Sequence, residues 1–156
     1  MKVAWFSVYN LVLALWVGGI AIFTFIVTPA IFRSFGKDLA GEIVGKLFPG
    51  YFIYTLVLTL LALFLFLLAN REALLPDYRL SLSLLLLSVA VSLFVAFWVH
   101  PTTVDVKKTI ASFEQGPSDT PAKKRFARLH ALSASLNLLL LADGIVLLVV
   151  APGLKK

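Results

Sequence analysis

The sequence predicts an all-α integral membrane protein, a bundle of four transmembrane helices in a single domain. It is 60% hydrophobic and only 14% charged, with a mean hydropathy of +0.97, far more apolar than a soluble domain. Its charges are also segregated, leaving stretches that each exceed the roughly 20 residues a helix needs to cross a bilayer. Continuous Leu-rich runs, rather than short alternating segments, exclude a β-barrel. The stretches are 3–32, 47–70, 80–104 and 129–154, of which the last contains only Asp143 as a charge.

The first helix is predicted over about 3–32. Gly18 and Gly19 in its middle would let another helix approach closely. Near its end, Pro29 predicts a bend, because proline removes one helical hydrogen bond. The segment 35–47 then places apolar residues on one face and charges on the other. This pattern predicts a short amphipathic helix that lies in the membrane interface.

The other three helices are predicted over about 47–70, 79–114 and 121–150. Aromatic residues and Pro49 open the second helix, since proline suits a first turn. The third is expected to continue past Pro101, where its apolar run stops. All four helices belong to one membrane domain, 1–156.

The charges also predict orientation and partners. Nine of the 14 Lys and Arg residues fall in the first and third loops, so the positive-inside rule places these loops in the cytoplasm and both termini outside. We expect a location in the plasma (inner) membrane. The net charge of +6 is explained by anionic lipid headgroups, without nucleic acid. Further candidate partners are a second copy of the chain or another membrane protein.

A polar stripe crosses the apolar run of the fourth helix. His130, Ser133, Asn137 and Gly144 follow one another at intervals of three, four and seven residues. At about 100° per residue they share one helix face, which must contact protein or a ligand rather than lipid. The stripe is therefore either a packing seam or a ligand-binding face. Packing is the interpretation we favour for Ser133 and Asn137.

A second candidate site lies at the basic end of this stripe. If the third and fourth helices form a hairpin centred near residue 117, Asp105 should neighbour His130, with His100 deeper in the membrane. Two histidines and a carboxylate could hold a metal or approach a haem. The alternative is structural: interhelical hydrogen bonding by His130 and helix capping by His100.

Asp143 is a separate candidate, because it points away from the His130 face. An ionised carboxylate is costly within a membrane, so we expect it to be protonated or paired. Tyr9 and Asn10 of the first helix are expected at the same depth. One hypothesis is proton or cation binding by Asp143; the favoured one is a hydrogen bond to the first helix.

Two segments, 126–137 and 46–52, resemble the transmembrane protein 205-like family, four-helix membrane proteins built on a domain of unknown function. The pattern His-x-x-Ser-x-x-x-Asn at His130, Ser133 and Asn137 carries most of the resemblance. It implies a fold and a membrane location, but no biochemical activity.

More distantly, the segment 15–19 is similar to the first helix of the copper resistance D and membrane protoporphyrinogen oxidase group. The histidine that those proteins tend to carry before the tryptophan corresponds to Tyr9 here. The resemblance implies haem or copper as cofactor. The replacement of the histidine by Tyr9 argues against such a cofactor, although tyrosinate can ligate iron.

Three functional hypotheses follow. The first is a non-enzymatic membrane protein whose polar inner face of His130, Ser133 and Asn137, together with Asp143, packs the bundle or binds a small ligand. The second is a haem- or copper-handling protein that uses His130, His100 and Asp105, with Tyr9 as a further ligand. The third, a membrane oxidoreductase acting on a porphyrin, depends on the second. The sequence has no cysteine and none of the common hydrolase, phosphate-loop or HExxH motifs.

Overall fold

The computed structural model describes residues 2–69, 76–117 and 119–150, and every regular element in these ranges is helical. Four helical spans are long and apolar enough to cross a membrane, which confirms the predicted all-α architecture of four membrane helices. The first span is formed by α1 (Lys2–Ile22), a first π turn (Phe23–Val27) and α2 (Thr28–Ser34), and the second by α3 (Lys37–Ala69). The third is formed by α4 (Pro76–Phe94), a second π turn (Val95–Val99) and α5 (His100–Lys108), and the fourth by α6 (Pro121–Val150).

The four spans form a ring in which each packs against its neighbours in the chain, and the fourth closes on the first. In this ring α1 contacts α3 and α6, and α4 contacts the same two helices. The buried core therefore lies along the centre of the ring, where Trp16, Leu85 and Leu147 are almost completely buried. Apolar side chains such as Leu11 and Val149 are exposed on its outside, as expected for a surface that lipid covers.

The predicted interfacial helix is wrong. Residues 35–47 do not form a separate element, because α3 runs without interruption from Lys37 to Ala69 and carries Pro49 in its interior. Proline removes one helical hydrogen bond, but it does not end a helix whose other turns are held by packing. With 33 residues, α3 is about 50 Å long at 1.5 Å per residue, well beyond a hydrocarbon core of about 30 Å.

Both π turns lie directly before an X-Pro pair, Thr28-Pro29 in the first span and His100-Pro101 in the third. In each turn an i+5 bond forms: the amide of Thr28 donates to the carbonyl of Phe23, and that of His100 to Val95. A proline ring displaces the carbonyl four residues earlier, and the wider π turn accommodates this displacement. The predicted bend at Pro29 is thus a local change of helix type.

The third span is shorter than predicted, ending at Lys108 rather than near residue 114. The following segment, 109–117, is irregular because the carboxylate of Asp38 on α3 forms hydrogen bonds with it. The carboxylate accepts a hydrogen bond from the Ser112 hydroxyl at 2.5 Å and another from the amide of Phe113 at 2.6 Å. These charge-assisted bonds replace the helical bonds that residues 109–114 would otherwise form.

Candidate ligand-binding groove

The first and fourth spans separate beyond the end of α1, and the gap between them is a groove. Although α1 contacts α6, no Cα atom of the first π turn or of α2 lies within 8 Å of α6 in the described chain. The groove has a volume of about 240 Å³, and α3 forms its floor. Its lining residues are Phe23, Thr24, Phe25 and Thr28 of the first span, Phe48, Tyr51 and Phe52 of α3, and His130, Ser133, Ala134, Asn137 and Leu138 of α6.

A second cavity of about 270 Å³ adjoins the groove and shares Phe48 and His130 with it. We call it the basic vestibule, because two lysines line it. Aromatic side chains complete the wall, so an apolar slot leads directly into a pocket with two ammonium groups. The lining of the vestibule is Phe32, Lys37, Gly41, Val44, Phe48, Lys107, Phe113, Phe126 and His130.

Asn137 joins three spans at the inner end of the groove. Its Oδ1 accepts a hydrogen bond from the Tyr51 hydroxyl, and its Nδ2 donates to Thr24 Oγ1 at 2.7 Å. Tyr51 is in turn stacked on Phe23, with ring centroids 4.2 Å apart. The amide therefore bridges the gap where the first span leaves α6, as the packing interpretation of Asn137 predicted.

His130 and Ser133 have a different environment from Asn137. Both line the groove, and the imidazole of His130 lies parallel to the Phe126 ring with centroids 6.1 Å apart. The predicted polar face of α6 thus divides into a bonded part at Asn137 and a part at His130 and Ser133 that faces open space. The latter part is the one that a ligand can reach.

The charge of the vestibule comes from Lys37 and Lys107. Lys107 Nζ donates to the Gly41 carbonyl at 2.6 Å, which uses one of its three donors and leaves two. A Cβ atom on Gly45 would lie 3.4 Å from the same nitrogen, so the two glycines form a seat for the ammonium group on α3. Among the acidic groups nearby, Asp38 is bonded to the 109–117 segment, and the exposed Glu42 pairs with Lys46 at 2.8 Å.

The predicted metal or haem cluster does not form. Asp105 pairs with Lys108 at 2.8 Å and lines a shallow surface cavity with Arg125, whereas His100 packs on Phe52 with centroids 5.2 Å apart. Within the described ranges, no three His, Asp or Glu side chains gather closely enough to hold a metal ion. The register between the third and fourth spans explains the difference. Ser88 lies opposite Asp143. Counting along both helices from this pair places Asp105 level with Phe126, about one turn from His130.

Tyr9, the further candidate ligand, is buried at the other end of the bundle. Its ring packs against Phe66, with centroids 6.0 Å apart, and only 2% of the residue is exposed. Since the groove begins at Phe23, about 20 Å further along the first span, Tyr9 is not part of it. The structure therefore assigns Tyr9 to the core.

Asp143 is buried, but its hydrogen bond goes to the third span rather than to the first. The Ser88 hydroxyl donates to Asp143 Oδ2 at 3.1 Å. The residue of the first span that is level with Asp143 is Gly18 rather than Asn10, because the next residue, Gly144, packs on Val17. The observed register of the first span against α6 therefore differs from the predicted one by about two helical turns.

Sequence reasoning did not identify Thr24, Lys107 or Gly41 as site residues. Thr24 is a single hydroxyl in an apolar run, and nothing in the sequence distinguishes it from Thr28. The site that Lys107 occupies on α3 is visible in the sequence as a pair of glycines. Gly41 and Gly45 are four positions apart and so share a helix face. Such a pair indicates close approach, but not by which side chain.

Comparison with known proteins places this fold in a family. Residues 11–112 match the family described as a domain of unknown function, DUF4149, and the chain belongs to it. The matched segment contains most of the first span, the whole of the second and third, and the floor of the groove. No curated protein and no solved structure matches the chain significantly. The comparisons give no support to the resemblance to the transmembrane protein 205-like family or to the copper resistance D group.

Proposed function

We propose that this protein binds an anionic membrane lipid, with an acyl chain in the groove and the headgroup in the basic vestibule. The supporting observation is that the two cavities share Phe48 and His130, which joins an aromatic slot to a pair of lysines. With volumes of about 240 and 270 Å³, the two cavities together fall within the size range of small-molecule sites, roughly 300–1,000 Å³. The protein's role in this proposal is binding rather than chemical conversion.

The groove favours an acyl chain because its rim is exposed where the bilayer would be. Phe25 is 60% exposed and Leu138 48% exposed, although both line the groove. Hydrocarbon can therefore enter from the side without crossing water. At the inner end the Tyr51 hydroxyl donates to Asn137 and Asn137 donates to Thr24, so most of the polar groups that an apolar chain would meet there already have partners.

The vestibule favours an anionic headgroup because two lysines line it and none of the described residues that line it is acidic. Asp38 and Glu42 have partners elsewhere, so Lys37 and the two remaining donors of Lys107 can bind a phosphate or carboxylate. His130 lies at the junction of the two cavities, where it can donate to the ester or phosphate oxygens. By the positive-inside rule this end faces the cytoplasmic leaflet, which is the anionic one.

The test measures which lipid stays bound. The full chain, reconstituted with equal amounts of phosphatidylglycerol and phosphatidylcholine, is released into detergent, and native mass spectrometry counts the retained lipids. We expect the wild-type protein to retain phosphatidylglycerol preferentially. Ala134→Trp, which fills the groove, should abolish the retention, whereas Lys107→Gln should abolish only the preference.

Matched controls exist for both variants. Ala131→Trp makes the same change on α6 at an exposed alanine outside the groove lining. Lys108→Gln removes an exposed lysine that is not part of the vestibule and whose partner, Asp105, does not line it either. Both controls should behave as the wild type. Equal retention of the two lipids by the wild-type protein, or unchanged retention in Ala134→Trp, would overturn the proposal.

Haem or copper handling, the second hypothesis from the sequence, is not favoured by any described contact. It predicts a Soret band or bound copper that is lost in His130→Ala. Among the described residues, His130, His100 and Asp105 do not form a group that could hold a metal ion.

A further inference from the structure

A small cavity lies at the centre of the bundle, beyond the inner end of the groove. Its volume is about 10 Å³, and it is lined by three polar residues, Thr55, Ser92 and Asn137, among apolar neighbours. Ser92 is 2% exposed, and its hydroxyl oxygen is buried without a hydrogen-bond partner. An unbonded hydroxyl in such a place destabilises the fold, so a partner at this position would stabilise it.

The cavity fits one water molecule in size and in chemistry. Its volume matches the roughly 10–15 Å³ that a single buried water requires, and such a water needs two to four polar partners. Thr55 donates its own proton to the Tyr51 carbonyl at 3.0 Å, so its oxygen is left as an acceptor. Asn137 donates one amide proton to Thr24 and retains the other. A water could therefore accept from Asn137 and donate to Thr55 and Ser92.

The buried carboxyl group of Asp143 lies close to this cavity. Its partner Ser88 is one helical turn from Ser92 on α4, and both serines face the interior. Asp143 is 6% exposed, and none of the ion pairs found among the described residues includes it. Such surroundings favour the neutral, protonated acid.

No described cation from the neighbouring helices approaches Asp143. Arg79 is nine residues from Ser88 on α4, about 13 Å along the helix, and His100 is about 18 Å away in the other direction. On the first span, Tyr9 is nine residues from Gly18, the position level with Asp143. The Ser88 hydroxyl is thus the polar group that can exchange a proton with the acid.

We propose that Asp143 is a buried proton-binding site that exchanges its proton with the groove through one water held by Ser92, Thr55 and Asn137. In each exchange a hydroxyl or water takes up one proton and passes on another, so a proton replaces a proton and no net charge moves. The path runs from the groove past Asn137 to the water, then to Ser92, Ser88 and Asp143. This inference goes beyond lipid binding and applies to the groove when its inner end holds water rather than an acyl chain.

The test follows the carbonyl stretching band of the protonated acid by infrared spectroscopy of the full chain in lipid bilayers. The wild-type protein should show this band at neutral pH, Asp143→Asn should lose it, and transfer to D2O should shift it. Ser92→Val removes the hydroxyl and fills the cavity, so it should slow the shift on the order of tenfold or more, since exchange then requires a local opening of the bundle.

A second variant and a control keep the result interpretable. Val95→Ile fills the cavity by one methyl group without removing a hydroxyl, and it should also slow the shift. Ser81→Val changes a buried serine of α4 that does not line the cavity, and it should exchange at the wild-type rate. A wild-type protein without the band, or wild-type exchange in a folded cavity-filling variant, would overturn the proposal.

Discussion

Gly144 allows the packing of the fourth span against the first to be measured directly. A Cβ atom at this position would lie 2.6 Å from Val17 Cγ2 and 3.7 Å from the nearest atom of the Trp16 ring. Carbon atoms in contact are about 3.5–4.0 Å apart, so Gly144→Ala forces α1 and α6 to separate locally by about 1 Å. Val17 cannot easily turn away, because a β-branched side chain in a helix has one strongly preferred rotamer.

The expected magnitude follows from two opposing effects. Overpacking a well-packed site costs about 1–3 kcal/mol. Replacing glycine by alanine within a helix returns up to about 1 kcal/mol through helix propensity. Gly18→Ala gains this propensity without the cost, because no other atom lies within 4 Å of its added Cβ. We therefore expect Gly144→Ala to be about 1–3 kcal/mol less stable than Gly18→Ala.

The assay is reversible unfolding of the full chain in mixed micelles, titrated with sodium dodecyl sulfate and followed by circular dichroism. A double-mutant cycle with Val17→Ala identifies the contact, since removing the Cγ2 methyl should recover most of the loss in Gly144→Ala. If Gly144→Ala is as stable as Gly18→Ala, the close approach of the two helices is refuted. If Val17→Ala recovers nothing, Val17 is not the side chain that resists the added methyl.

Two further positions give separate predictions. Gly19→Ala places a methyl 2.5 Å from the Tyr54 ring and hydroxyl, so Tyr54 must swing away and lose its bond to the first span; we expect a loss of about 1 kcal/mol relative to Gly18→Ala in the same titration. Asp38→Ala releases the segment that it holds after α5, so the Phe113 amide should exchange its hydrogen faster, whereas Glu42→Ala should leave that rate unchanged.

The sequence predicted the number of spans well, because the physical cause is local. A stretch of more than about 20 residues with at most one charge is long and apolar enough to span a bilayer as a helix, whatever its neighbours do. The fourth span was predicted over 121–150 and is observed as Pro121–Val150, since Thr120 and Pro121 give a clear start signal. The small size of Gly19 also predicted that another helix packs against it. Gly18 is equally small, but no atom of another helix lies within 4 Å of a Cβ added there.

The site could not be predicted in the same way, because it depends on register between spans. The expected pairing of Asp105 with His130 assumed that both arms of the last hairpin stay helical up to the turn. Asp38, which lies far away in the sequence, instead holds residues 109–117 out of the helix. The arms therefore do not stay helical up to the turn, and the observed register places Asp105 level with Phe126 rather than with His130.

A contact between residues far apart in the sequence also explains why the groove opens on one side only. Both π turns precede a proline, yet the second keeps its contacts with α3 and α6, whereas the first keeps none with α6. At the first π turn, Asn137 spans the gap by bonding Thr24 on one side and Tyr51 on the other. The amide thus holds the two spans at a fixed separation where their backbones diverge, and this separation is what leaves His130 and Ser133 accessible along the rest of α6.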